Sequence, residues 1–455
     1  MAAERKIPRS LQAIIDQVKE HYADDQELQT LFEQCFLNTY LTTIQEDEQG
    51  TFVVTGDIPA MWLRDSSAQV RPYLTVVKED ADMARLIKGV IERQWRYILH
   101  DPYANAFNQT ANKQGHQQDR TEMSPLVWER KYELDSLCYP IQLAYLYWKA
   151  TGDDSVLQPT LKQVLETIYR IWKIEQDHEA KSSYSFERDD CRVSDTLLRK
   201  GKGGYSVPTG MTWSGFRPSD DACLYGYLIP ANMFAVVVSN YAVELLTAME
   251  EIKLAEQFRE LEADIRQGIG QYGKMDHPVY GEIYVYETDG NGRVNLMDDA
   301  NVPSLLAIPY LGYTTADDPV YQNTRRFILS RDNPYYYEGS YAKGVGSPHT
   351  PDHYVWHISL AIQGMTAIDS KEKKQIVAMF KQTHADTYFM HEGFDVDRPE
   401  QYTRSWFAWA NSMFSEFLLS EAGIYVPGSP LENMKNNKAG DRHVLSTGKA
   451  AKPNQ

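Results

Sequence analysis

Two acidic loops carry the residue types best suited to chemistry. Ser219-Asp220-Asp221-Ala222 and His391-Glu392-Gly393-Phe394-Asp395 each set carboxylates beside aromatic or basic residues, just upstream of helical stretches. Cleaving a glycosidic bond takes one carboxylic acid to protonate the leaving oxygen and a second carboxylate to activate water or attack. Asp220, Asp221 and Glu392 are therefore the candidate acids, and the competing reading is that they cap helices or sit in a surface loop. Arg64 and Asp65, next to Trp62, form a guanidinium–carboxylate pair that can grip two neighbouring hydroxyl groups with directional hydrogen bonds. Arg217 and Arg404 occupy matching segments and admit the same roles, a ligand grip or a structural salt bridge.

His349, His353 and His357 are four residues apart, which on a continuous helix would align them as metal ligands. Pro348 and Pro351 argue against that, because a proline there starts the helix late and leaves His349 in the loop. No His-Glu-x-x-His, Gly-x-Gly-x-x-Gly, Walker lysine or Gly-x-Ser-x-Gly motif occurs, and Gly201-Lys202-Gly203-Gly204 lacks a strand–turn–helix setting.

The elements that must hold these residues are mostly helical. Apolar residues recur at three- and four-residue steps in a hairpin over Leu11–Val18 and Leu28–Leu37. The same period returns at about 81–99, 133–150, 154–175, 221–249, 251–271, 353–367, 370–384 and 402–421. One strand signal stands out, 281–296, where alternating apolar residues flank a glycine-rich turn and predict a single inserted β-hairpin. Six polar, acid-containing loops feed directly into apolar helices, beginning at Ala60, Glu129, Phe216, Leu296, His349 and Tyr402. Six helical pairs with inner-helix N-termini around one mouth make an all-α (α/α)6 toroid, whose loops converge on one polar and aromatic pocket. The expected organisation is a single catalytic domain over 1–427 and a polar tail over 428–455, with long loops at 101–128 and 177–218 as carriers of function.

Composition bounds the partners. The 455-residue chain is 42% hydrophobic with 9 Trp, 30 Tyr and 15 Phe, enough to fill a large core and too apolar for bulk disorder. Its net charge of −17 disfavours nucleic acid and anionic membrane surfaces as partners. Cys35, Cys138, Cys191 and Cys223 are scattered without a Cys-x-x-Cys pair, and the first residues lack an apolar signal stretch. The expectation is a soluble cytoplasmic protein with reduced thiols.

Three long segments, Gly56-Asp-Ile-Pro-Ala-Met-Trp-Leu-Arg-Asp-Ser-Ser-Ala-Gln, Trp213-Ser-Gly-Phe-Arg-Pro-Ser-Asp-Asp-Ala-Cys and Glu392-Gly-Phe-Asp, resemble in type and order the metal-independent exo-α-1,6-mannosidases of glycoside hydrolase family 125. The resemblance spans about 50–425. It implies an (α/α)6 barrel without a metal or other cofactor, which releases terminal α-1,6-linked mannose from mannose-containing oligosaccharides with inversion. Trp62-Leu-Arg-Asp-Ser and Arg404-Ser-Trp-Phe-Ala-Trp are similar, more distantly, to segments of glucoamylases, inverting enzymes on the same toroid. Carried over by position, the family's acid falls in Ser219-Asp-Asp-Ala, with Asp220 favoured and Asp221 its alternative, and its base falls on Glu392. Trp62, Arg64, Asp65, Asp135, Arg217, Asp221, His353 and Arg404 become the expected substrate-binding set. The competing readings are a non-catalytic sugar-binding toroid and a phosphorylase or glycosidase of the same architecture with another substrate.

Overall fold

Burial divides the helices into two classes. Outer helices such as Ala81–His100 and Pro159–Glu175 bury one face, with apolar residues at three- and four-residue spacing. Inner helices such as Ile229–Ala248 and Ala408–Glu421 are buried nearly all round. Helix Ile229–Ala248 has the length and apolar character to cross a membrane, and here it lines the interior of the barrel.

The two classes also start differently. Four outer helices are capped by aspartates, whereas Pro159–Glu175 and Ile252–Tyr272 have no side-chain cap: Asp25 accepts from the Leu28 amide, Asp80 from Met83, Asp318 from Tyr321 and Asp369 from Lys371. Inner helices begin after Trp62, Glu133, Leu228, Trp356 and Phe407, none of which makes a side-chain cap. Asp298 accepts from the Leu305 and Leu306 amides ahead of its inner helix, but the other acids of the repeated loops are not caps, so their carboxylates are left for other partners.

In the computed structural model, which describes residues 5–435, six inner helices form a ring: Leu63–Val70, Leu134–Thr151, Ile229–Ala248, Ile308–Leu311, His357–Met365 and Ala408–Glu421. Each but the last is followed by its outer partner. The last pairs with Gln26–Thr42, so the first part of the chain closes the ring against the last helix, and Arg9–His21 packs outside it. Three inner helices and the 3-10 turn Arg71–Thr75 that follows Leu63–Val70 are tied together by one buried network: Arg71 Nε donates to Glu416 Oε1 at 3.0 Å, Arg71 Nη1 to Gln142 Oε1 at 2.9 Å, and the Tyr310 hydroxyl to Glu416 Oε2 at 2.9 Å.

Strands are more numerous than the single hairpin expected, with six small sheets of two or three strands among the described residues. Over 281–296 the glycine-rich turn joins Glu287–Thr288 to Val294–Asn295, while Gly281–Tyr284 pairs backwards with Lys274–His277. Helices expected from about 221, 353 and 402 begin only at Ile229, His357 and Ala408. The intervening residues are bends, turns, isolated bridges and short strands. Strands of two or three residues, Met61–Trp62, Tyr227–Leu228 and Tyr354–Trp356, precede three inner helices and pair with Ala106–Phe107, Glu287–Thr288 and Gly393–Asp395. They are too short to show a two-residue period, yet they stitch the loops of different repeats into one surface. The expected tail also begins late: 428–435 packs on the barrel, with Ser429 and Leu431 buried and the Gly428 amide donating to Glu432, and 436–455 lies outside the described residues.

Candidate active site

A cavity of about 300 Å³ opens where these loops meet. Its lining includes Trp62, Arg64, Asp65, Ser219, Asp220, Asn301, His349, Trp356, Glu392, Arg404, Phe407 and Trp409, so five of the six repeated loops reach it. Depth follows exposure. Arg64 and Asp65 are 2% and 4% exposed and form its floor, whereas the side chains of Asp220 and His349 keep 28% and 32% of their surface near its mouth.

Arg64 is the hub of the floor. Its Nη1 donates to Glu133 Oε2 at 2.6 Å and to Asp135 Oδ2 at 3.2 Å, its Nη2 to Asp220 Oδ1 at 3.4 Å, and its Nε lies 3.4 Å from Asp65 Oδ1. One guanidinium therefore serves four carboxyl groups. Burial pushes the carboxyls of Asp65 and Asp135 up to about 6 against the pull of Arg64. Asp135 lies behind Arg64 and outside the cavity lining, and touches the site through that guanidinium.

Asp220 sits at the top of a tight turn. Its amide donates to the Arg217 carbonyl and the Arg217 amide to the Asp221 carbonyl, which places Asp220 at φ +67°, a left-handed conformation that Asp tolerates better than most residues. Lys131 Nζ donates to the Asp220 carbonyl at 2.7 Å and to Asp195 at 2.8 Å, and the Ser219 hydroxyl donates to Asp299 at 3.0 Å, so the turn is held from two sides. Burial raises the Asp220 carboxyl, but Arg64, a hydrogen bond with Glu133, Lys131 and His349 outweigh it and hold the group below the ordinary carboxylate range. Glu133 moves the other way, pushed well up by burial against the pull of Arg64, with the charge of Asp220 adding to the rise.

The neighbouring aspartate is turned away. Asp221 is outside the cavity lining, and its Oδ1 pairs with His349 Nδ1 at 3.2 Å. His349 is raised to about 9: burial opposes its charge, and Asp221, Glu392 and Asp220 together overcome that. Across the cavity, Glu392 leads into the strand Gly393–Asp395, and Arg404 Nη1 lies 3.7 Å from its Oε1 while Arg404 Nε donates to Asp57. The loop is pinned by the His391 amide donating to His357 Nδ1 and the Met390 amide donating to Asn411.

Besides Asp135 and Asp221, two more expected ligand contacts lie outside the cavity lining. Arg217 is buried behind the Asp220 turn, with its Nε donating to Glu287 Oε1 at 2.6 Å, while Glu287 Oε2 accepts from the Leu224 and Tyr225 amides. It braces the loop. His353 is exposed at φ +69° beside Tyr337 and outside the cavity lining, because the chain there is a turn feeding a strand rather than a helix. The three spaced histidines accordingly do not converge: His349 lines the cavity, His353 faces outward, and His357 is buried against Thr383 and the His391 backbone. Among the described residues no group of three or more His, Cys, Asp or Glu side chains is arranged to hold a metal ion.

Sequence reasoning assigned no role to Asn105, Lys131 or Glu133 as parts of the site, and weighed His349 only as one of three spaced histidines, for a metal or for hydroxyl contacts. Asn105 lies in the loop at 101–128, and its Nδ2 donates to Glu129, Glu133 and Asp220 at 3.1, 3.4 and 3.3 Å. Glu133 and Lys131 lie in the second of the six repeated loops.

This geometry of paired acids around a small cavity coincides with a family match. The family model for metal-independent α-mannosidases, GH125, matches residues 25–419. The chain belongs to this family. It is an enzyme, a glycoside hydrolase. A solved structure from Streptococcus pneumoniae, a metal-independent α-mannosidase in a non-productive complex with α-1,6-mannobiose, is 48% identical with a TM-score of 0.90, covering 92% of this chain and 99% of that one. The meiotically up-regulated gene 157 protein of Schizosaccharomyces pombe is 40% identical over 438 residues, covering 90% of this chain and 85% of that protein. A glucoamylase from Saccharomycopsis fibuligera, 11% identical with a TM-score of 0.55 over 89% of this chain and 96% of that one, shares the toroidal fold alone. The fold expected of an α-mannosidase of this family is thus the one observed, an (α/α)6 barrel.

Proposed function

We propose that the enzyme removes terminal α-1,6-linked mannose from oligosaccharides by an exo-acting, inverting mechanism, with Asp220 as the general acid and Glu392 as the general base. The observation that carries this reading is one cavity whose lining contains both carboxylates and whose floor is sealed by Arg64 and Asp65. A terminal sugar seated on that floor has its distal hydroxyls against the guanidinium and carboxylate, where a further sugar would have to extend into packed protein. Its glycosidic oxygen then faces the mouth, beside the more exposed Asp220. The bound mannobiose of the 48% identical relative supports the α-1,6 linkage.

In the reaction Asp220 gives a proton to the glycosidic oxygen as the C–O bond breaks, and Glu392 takes one from the water that attacks the anomeric carbon from the opposite face. Positive charge building on the sugar ring is met by the acid-rich floor, which lowers the barrier because the carboxylates are already in place. The four unpaired cysteines, three of them buried, support a cytoplasmic setting.

The test is a panel of α-1,6-, α-1,3- and α-1,2-mannobiose with product analysis, with mannose release fastest from the first. Asp220→Asn nearly abolishes that release yet loses much less on a mannoside with an acidic phenol leaving group, whereas Glu392→Gln damages both alike. Preference for another linkage, or phosphate-dependent release of a sugar phosphate, would overturn the reading.

A further inference from the structure

A proton donor must be protonated before it acts, and the surroundings of Asp220 favour its charged form. The proton therefore has to be stored within reach. Four carboxyl groups around the single guanidinium of Arg64 cannot all be ionised in so buried a place without a large electrostatic cost, so at least one of them carries a proton.

The hydrogen bonds indicate which one. Glu133 Oε2 accepts from Arg64 at 2.6 Å and from the Ser136 hydroxyl at 2.7 Å. Its other oxygen, Oε1, shares the Asn105 amide with Asp220 Oδ1, at 3.4 and 3.3 Å, and the Glu133 and Asp220 side chains hydrogen-bond each other. Two carboxyl oxygens side by side need a proton between them. The Glu133 side chain is fully enclosed, whereas that of Asp220 is open to the cavity, so water solvates only the Asp220 charge.

We propose that Glu133 is the proton-holding partner of the catalytic acid, keeping the proton on Oε1 while the cavity is open and passing it to Asp220 when a sugar displaces the solvent around it. The step balances. The Glu133 O–H bond breaks as the Asp220 O–H bond forms, leaving one negative charge on the pair. Asp220 then yields that proton to the glycosidic oxygen, whose C–O bonding pair stays with the leaving alcohol. After product leaves, solvent returns a proton through Asp220. Glu133 is thus a positioning residue that acts through Asp220, and the opposed displacements of the two groups agree with it. The other charges that face the pair are Arg64 and Asp65 from the first inner helix, Asp135 from the second, and Glu129 and Lys131 from the segment before it. His349 lies beyond Asp220, toward the cavity mouth.

The inference rests on Asp220 being the acid, and the experiment separates the two. The pH dependence of kcat/KM is measured on α-1,6-mannobiose and on an aryl mannoside with an acidic phenol. In Glu133→Gln the amide can donate to Asp220 but cannot supply a proton, and it favours the charged acid. The basic limb for mannobiose moves down by about one pH unit or more, with at least a roughly tenfold loss at neutral pH, while the aryl mannoside loses little. Ser136→Ala removes a donor that favours ionised Glu133, so the limb moves up instead, and this milder variant carries the test if Glu133→Gln does not fold. Equal losses on both substrates with unmoved limbs would reduce Glu133 to a structural partner of Arg64 and overturn the proposal. Retention of mannobiose activity by Asp220→Asn would overturn the acid assignment itself, whatever Glu133 does.

Discussion

Replacing Arg64 by alanine removes the one guanidinium that neutralises Asp65, Glu133, Asp135 and Asp220, in a site where its own side chain is 3% exposed. Breaking a buried ion pair by deleting one partner costs about 3–5 kcal/mol, because the other charge is stranded. Unfolding entropy of about 2.1 cal/mol/K per residue gives this 455-residue chain roughly 1 kcal/mol/K, so the loss converts to a fall in Tm of about 3–5 °C. Protonation relieves it. A carboxyl group raised in the folded state costs stability above its folded pKa, and that cost fades as pH falls through the folded value toward the unfolded one. For Asp65 and Asp135 the window runs from about 6 down to the model-peptide value of 3.8, and loss of Arg64, which pulls both down, widens it upward. The variant is therefore expected to lose more Tm relative to wild type at pH 8 than at pH 5, measured by calorimetry at both. Arg64→Lys restores part of the stability and little activity, since an ammonium lacks the planar fork that reaches several carboxylates at once. An equal fall at both pH values, or none, would refute the picture of one cation serving four acids.

His349→Gln removes a positive charge beside Asp220, Asp221 and Glu392, so both limbs of the pH profile of kcat/KM should move up by about half to one unit. Asp25→Ala deletes an outer-helix cap and the Lys381 ion pair, and should cost about 1 kcal/mol in denaturant unfolding with kcat/KM unchanged. Incubation with chelator should leave mannose release intact, and activity lost to chelator and restored by zinc or calcium would contradict the reading of the site as acid–base alone.

Helix periodicity carried the barrel because long helices repeat their pattern many times: Ala81–His100, Leu134–Thr151 and Ile252–Tyr272 fall close to where spacing places them. Misplaced starts cluster at the site. Residues 221–228, 353–356 and 402–407 look continuous with the helices that follow, yet they are bends, turns and short strands, and the strands and bridges pair mostly with distant loops that no local pattern reveals. The same distance dependence explains the site residues. Trp62, Arg64, Asp65, Asp220, Glu392 and Arg404 lie in loops whose acids exceed what capping needs, and all reach the cavity lining. Arg217 and His353 occur in the same kind of loop, but one is claimed by Glu287 from another repeat and the other is turned out by a left-handed backbone. Glu133 and Asn105 look ordinary in sequence. Their significance comes from Arg64 and Asp220, which are brought to them only by closure of the ring.

The pairing of Asp220 as acid with Glu392 as base is tested most directly by following the wild-type hydrolysis of the methyl glycoside of α-1,6-mannobiose, whose leaving sugar has no free anomeric centre, by proton NMR within the first turnovers, before mutarotation mixes the anomers. Attack by water activated on the face opposite the leaving group inverts the anomeric centre, so the first mannose released from its new reducing end is the β-anomer. If α-mannose appears first, water is not the first nucleophile, and Glu392 would instead form a covalent intermediate with the sugar.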